Sequence, residues 1–255
     1  MIFIFVVFVI ASVMLYNYFF SKAAVINRKL KKAPLKKIAA FQDGEVAKVI
    51  GKIVSVDEPL LAPLTNRECS YYKVLVEVKV SSGKSSHWKT LIEEIKATRI
   101  VIFDGEDYAL INHQNLKPNI IFDKEASSGT FNDAVPILEN YLNKHGEKST
   151  GSFGLNKKMR YQEGVLEKNE QISALGKGQW QSTESLGLPF DKAQILVISA
   201  TADDAIYVSD DPETTAKTPP KAPKKIDESP PEKTDEKPRV PTPPKAQRRG
   251  RYLKD

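Results

Sequence analysis

Cys69, Tyr72, Glu77 and Glu163 are the side chains of this sequence best suited to chemistry. A cysteine becomes a nucleophile only where a neighbouring base or a lowered pKa produces the thiolate. No histidine stands near Cys69 in the sequence, so the thiol is expected to be a small buried side chain. Glu77 and Glu163 are carboxylates that a fold could pair for general acid–base work. Each is expected instead to hold an ion pair or to accept from backbone N–H groups. His87, beside Trp88, reads as the end of a strand rather than a metal ligand. With one cysteine and three histidines (His87, His113, His145), the chain has no Cys/His set for a structural zinc site, and no metal is expected. A lone cysteine also forbids an intrachain disulfide, which fits a reducing compartment. Gly176-Lys177-Gly178 is too short to be a phosphate-binding loop, and no cofactor is expected.

The elements that must position these residues are mostly strands. From Tyr72 to Val80, residues Tyr72, Val74, Val76, Val78 and Val80 alternate with Lys73, Glu77 and Lys79, interrupted only by Leu75. A period of two predicts a strand with one buried and one wet face. Val46 to Val56 is a β-branched run interrupted by Gly51, which predicts a bend or bulge. Ile100 to Phe103 and Tyr108 to Ile111 flank Asp104-Gly105-Glu106-Asp107 and predict a hairpin. Ile195 to Ser199 predicts a short buried strand. One helix is expected, capped by Asn132 or Asp133, with Pro136 in its first turn and Gly146 just past its end. The fold class is therefore mainly β (α+β): a small barrel-like domain of the OB or a related type, since closure removes exposed strand edges.

Two stretches carry a family resemblance. The first runs from Gly44 to Glu77 and includes Gly-Glu-Val-Ala-Lys-Val-Ile-Gly-Lys-Ile, Leu61-Ala62-Pro63-Leu64-Thr65, Glu68-Cys69-Ser70-Tyr71-Tyr72 and Val76-Glu77. The second is Arg160-Tyr161-Gln162-Glu163-Gly164-Val165-Leu166, followed by Ile172 to Gly176. Together they resemble the GIDE domain, also called BAM for "beside a membrane". That domain occurs in mitochondrial outer-membrane E3 ubiquitin ligases and in many bacterial membrane proteins. The resemblance implies binding roles for Pro63, Cys69, Tyr72, Glu77, Arg160 and Glu163. Eukaryotic members add a second membrane helix and a zinc-binding RING. Here Ala193 to Val208 is broken by Asp203 and Asp204 and is too short to span. The cysteines of a RING are missing, so ligase activity does not carry over. The resemblance implies a membrane-adjacent binding module, with a ligase-like or other enzyme subunit bearing a pocket near Cys69 and Glu77 as the rival.

The ends of the chain hold its compositional extremes. Ile2 to Phe20 is apolar or aromatic except for Ala11, Ser12 and Asn17. About 19 residues at ~1.5 Å each match the thickness of a bilayer core, so residues 1–21 are expected to form one transmembrane helix. Lys22, Arg28, Lys29, Lys31, Lys32, Lys36 and Lys37 follow without an acidic residue among them. This collar, residues 22–40, predicts a single-pass protein with its N-terminus outside and its remainder cytoplasmic. A cleaved signal peptide would want a basic start, a shorter apolar run and a small-residue exit. The lysines are expected to contact anionic lipid headgroups or merely to fix orientation. Nucleic acid is not an expected partner, because the stretch lacks aromatic stacking residues. Residues 41–208 are expected to form the GIDE-like domain. Residues 209–255 are expected to be a disordered tail, since ten of the 16 prolines fall there and little apolar surface is available to bury. Thr218-Pro-Pro-Lys-Ala222 recurs as Thr242-Pro-Pro-Lys-Ala246, a polyproline-type ligand for an unidentified protein partner or a solvated spacer.

Overall fold

The β-branched runs pair with partners far away in sequence, and those pairings define the architecture. The computed structural model describes residues 21–129, 134–151 and 154–216. The chain divides into two units, Met1–Pro219 and Pro220–Asp255, and all described residues lie in the first. In chain order the first half comprises α1 (Lys22–Lys32), β1 (Val46–Val54), β2 (Leu60–Leu61), β3 (Glu68–Cys69), β4 (Tyr71–Ser82), β5 (Ser85–Ala97), β6 (Ile100–Phe103) and β7 (Tyr108–Ile111). The second half adds β8 (Leu116–Asn119), β9 (Lys124–Ser128), α2 (Pro136–Lys144), β10 (Met159–Leu166), β11 (Gln171–Ser182), β12 (Gln194–Ser199), β13 (Ile206–Ser209) and α3 (Pro212–Thr215). The expectation of a mainly β chain with few helices holds.

Five strands close on themselves. β1 pairs with β6, β6 with β7, β7 with β12, β12 with β11, and β11 returns to β1. Val49, Ile53, Ile100, Ile102, Ile172 and Ile198 fill this ring. Gly51 forms no bulge; β1 runs through it with its register against β11 unbroken. A Cβ there would lie 2.9 Å from the Phe103 carbonyl oxygen, so glycine is required because β6 crosses so closely. Beyond the ring, β11 also pairs with β13, and β13 pairs in parallel with β8.

A second sheet, ordered β5-β4-β10-β9, is antiparallel throughout. One of its faces packs Tyr72, Val74, Val76, Met159, Tyr161 and Val165 against Leu138, Tyr141 and Leu142 of α2. The alternation expected from Tyr72 to Val80 is interrupted by a register shift between Val76 and Glu77. Gly164 admits the backbone of Ile121, whose carbonyl oxygen would sit 2.5 Å from a Cβ at that position. α2 begins at Pro136 and is followed by Gly146 at φ +72°, as expected. Its N-cap, however, is Val135 with no side-chain bond. The expected caps Asn132 and Asp133 lie outside the described residues.

The described chain is ordered at both flanks beyond the expected domain of residues 41–208. α1 is capped by Ser21, whose hydroxyl accepts from the Ala24 N–H at 3.2 Å. Ile26 and Leu30, spaced i, i+4 on one face, bury against Ala205 and Tyr207. At the other end, Asp211 caps α3, and Thr214 and Thr215 are buried. The Thr214 hydroxyl accepts from Ser173 at 2.9 Å, and its carbonyl accepts from the buried Lys48 ammonium at 3.1 Å. The first part of the expected tail is therefore anchored, and the remainder lies outside the described residues. Among the described residues no helix is long and apolar enough to cross a membrane. The expected span at residues 1–21 lies, except for Ser21, outside them.

Candidate functional site

The motif residues divide between the two faces of the second sheet. Because side chains alternate along a strand, Tyr161, Glu163 and Val165 of β10 face α2, whereas Arg160 and Gln162 face away.

On the α2 side, Glu163 is fully buried. Its carboxylate accepts from the Leu64 N–H at 2.7 Å and from the Thr65 hydroxyl at 2.5 Å. Those donors sit in the turn opened by the half-buried Pro63, which places Asn66 at φ 56° and lets its N–H donate to the Ala62 carbonyl. Arg67 secures the same turn by an ion pair with Asp123 at 3.0 Å, and Asp123 also accepts from the Val165 N–H at 3.1 Å. Glu163 thus acts as the backbone acceptor that ties the 62–67 turn to β10.

Cys69 is 2% exposed and belongs to the same apolar cluster. Burial, reinforced by the negative charges of Glu163 and Glu167, pushes its thiol up to about 11. Catalytic thiols are shifted in the opposite direction. Tyr72 is likewise buried, and its hydroxyl donates to Glu94 at 2.7 Å. Glu94 also accepts from the Tyr141 hydroxyl at 2.8 Å, lies 3.2 Å from His145 Nε2 and pairs with Lys96 at 3.2 Å. Burial alone would raise the Glu94 carboxyl, but the hydrogen bonds from Tyr72, Tyr141 and Lys96 outweigh it and hold the group at about 2. Desolvation and the Glu94 charge both push the Tyr72 and Tyr141 hydroxyls upward. Through Tyr141, and His145 just past its end, the network fastens α2 to Glu94 of β5.

Glu77 and Arg160 are cross-strand partners on the opposite face, joined by an ion pair. The Arg160 guanidinium also covers the Trp88 ring at 4.6 Å. An open groove of about 330 Å³ beside them is lined by Glu125, Ala126, Ser127, Arg160, Tyr161 and Gln162. Glu77 therefore does not join Glu163 in a carboxylate pair. His87, expected to end a strand, lies within β5 opposite Val80. Among the described residues, no group of three or more His, Cys, Asp and Glu side chains could hold a metal.

Most of the basic collar is committed to ion pairs within the body. Lys29 pairs with Asp204 at 2.5 Å and covers the Tyr207 ring at 4.5 Å. Lys31 pairs with Glu213, Lys36 with Glu45 at 2.5 Å, and Lys37 with Glu106 at 3.3 Å. Arg28 and Lys32 are exposed, and Lys22 lies at the mouth of a groove with Lys73 and Lys117.

The residues the sequence did not single out are Arg67, Glu94, Asp123, Tyr141 and His145. Tyr141 carried a partial signal as part of the apolar face of α2. Glu94 carried none, because its partners Tyr72 and Tyr141 lie 22 and 47 residues away.

The architecture defines a mainly β protein with a closed ring, a flanking antiparallel sheet and a polar cluster committed to internal bonds. Compared with protein-family models, curated proteins and solved structures, the chain gives no match.

Proposed function

We propose that this chain is a membrane-tethered, non-catalytic binding module of GIDE type, displayed on the cytoplasmic side of the membrane. The apolar segment 2–20 is its tether, the β body is a barrel-like domain, and the proline-rich end extends the reach toward a protein partner. The observation that carries the non-catalytic reading is the burial of Cys69, Tyr72 and Glu163. Their polar atoms are engaged in holding a turn and a helix, and Glu77 with Arg160 lies across the sheet from them. The rival enzyme reading needs these groups to converge in one open cleft.

Thiol reactivity separates the two readings. The native full-length chain, in detergent micelles, is treated with iodoacetamide across pH 7 to 9. A structural cysteine stays unmodified until denaturant is added, and Cys69→Ser, which buries a hydroxyl in an apolar cluster, lowers stability by about 1–3 kcal/mol. Rapid native labelling with an inflection below pH 8 would favour the enzyme and remove the proposal.

A further inference from the structure

A groove of about 420 Å³ lies between α1, β8 and the outer face of the β4–β5 hairpin. Its volume is within the ~300–1,000 Å³ usual for small-ligand sites. Val25 and Ile26 of α1, Ile95 of β5, and Leu116 and Pro118 of β8 supply an apolar lining. Ile95 is 50% exposed, more than most large apolar side chains in this body. Lys22, Lys73 and Lys117 line the same groove, each from a different element. Glu93 answers only part of this charge: it pairs with Lys73 at 2.9 Å and also feels Lys22. Three cations facing one such carboxylate leave the groove positive, and an apolar trough with a cationic mouth is complementary to an amphiphile with an anionic head.

We propose that this groove binds an anionic phospholipid of the bilayer, with acyl carbons along Ile95, Leu116 and Pro118 and the headgroup phosphate among Lys22, Lys73 and Lys117. The inference rests on the membrane-tether reading, because Lys22 follows the apolar segment 2–20 almost directly in sequence. It also changes which cations meet lipid. Lys29, Lys31, Lys36 and Lys37 are engaged by carboxylates, as Lys73 is by Glu93, whereas no ion pair holds Lys22 or Lys117 among the described residues, and Lys73 and Lys117 come from β strands outside the collar. Each lysine beside an anionic headgroup strengthens binding several-fold, so removing two lowers occupancy at subsaturating lipid by about tenfold or more.

The test reconstitutes the full-length chain into phosphatidylcholine bilayers containing a trace of phosphatidylglycerol with a photoactivatable acyl chain. Adducts are mapped by mass spectrometry. The proposal expects adducts on Ile95, Leu116 or Pro118, and weak labelling by the matching phosphatidylcholine probe. Labelling falls about tenfold in Lys73→Ala/Lys117→Ala. It is also lost in Ile95→Trp, which fills the trough while leaving the lysines in place. Equal labelling by both probes, insensitivity to either variant, or adducts confined to residues outside the groove overturn it. Alkaline carbonate extraction keeps the two failures apart. Release into the supernatant defeats the tether reading, whereas a pelleted chain without groove adducts defeats this inference alone.

Discussion

Replacing Glu163 separates a structural carboxylate from a catalytic one by stability alone. In the native chain its oxygens accept from Leu64 N–H and from the Thr65 hydroxyl inside a fully buried site. In Glu163→Ala, the Leu64 N–H is left without its acceptor, at a cost of about 1–3 kcal/mol, and the hydrogen bond from Thr65 is lost as well. The cavity left by the side chain adds a further increment. Relief of the buried charge returns part of this, leaving about 3–4 kcal/mol of destabilisation. Glu163→Gln keeps an oxygen for the Leu64 N–H and can turn its amide N–H₂ to donate to the Thr65 hydroxyl, so both bonds survive only in weaker, uncharged form, at a cost of about 2 kcal/mol. In a folded body of this size, ~1 kcal/mol corresponds to roughly 2–4 °C. The melting temperature of the full-length chain in micelles, followed by far-UV circular dichroism, is therefore expected to fall by roughly 10 °C for Ala and roughly 5 °C for Gln. Amide exchange at Leu64 should accelerate in both variants. If Glu163→Gln melts within about 1 °C of the parent, the carboxylate is not holding the turn and the structural assignment of the motif is wrong.

Other consequences follow from the same contacts. The Glu94 carboxyl is held at about 2, below its ordinary 4.5, so its contribution to stability is present above 4.5 and is lost as pH falls toward 2. Glu170 and Asp210 run the other way, since burial raises them to about 7 and about 6. The folded chain then keeps protons that the unfolded chain has released, and stability declines as pH rises from the ordinary carboxylate range through 7. Thermal melts should therefore peak near pH 5, about 1–2 kcal/mol above pH 8 after allowance for partial exposure. Glu170→Gln should raise stability at pH 8 while leaving pH 5 unchanged, and a flat profile from pH 5 to 8 contradicts this account. Gly51→Ala places a methyl 2.9 Å from the Phe103 carbonyl oxygen and should cost about 1–3 kcal/mol in chemical denaturation. Gly129→Ala, whose nearest contact among the described residues is 3.9 Å away, serves as the control, and equal losses at both positions would refute the close-crossing argument.

What the sequence made legible was local. The β4 alternation was readable because charged residues intersperse its valines, even though Glu77 among them is buried, and the β6–β7 hairpin because its turn residues separate two short apolar runs. Pro136 and Gly146 marked α2 at both ends. Most of β5 left no mark beyond the strand end expected at His87, because β5 lies at the edge of its sheet and is mostly exposed, which removes the apolar signature. α1 was hidden by its lysines, although Ile26 and Leu30 carry the i, i+4 spacing of a buried stripe. The site itself depends on long-range pairing. Glu163 reaches Leu64 across 99 residues and Glu77 meets Arg160 across 83, and no local pattern specifies which strands become neighbours. The chemical roles expected for Glu77 and Glu163, an ion pair and a backbone acceptor, were legible from residue type, but their placement on opposite faces was not.

A paired C-terminal fusion tests membrane display most directly. The full-length chain is fused after Asp255 to a fluorescent protein, or to alkaline phosphatase, which is active only outside the reducing cytosol. Both fusions are expressed in a bacterial host and fractionated by alkaline carbonate extraction. The account predicts fluorescence in the carbonate-resistant membrane pellet and no phosphatase activity. Active phosphatase, or a fluorescent fusion recovered wholly in the soluble fraction, would contradict it.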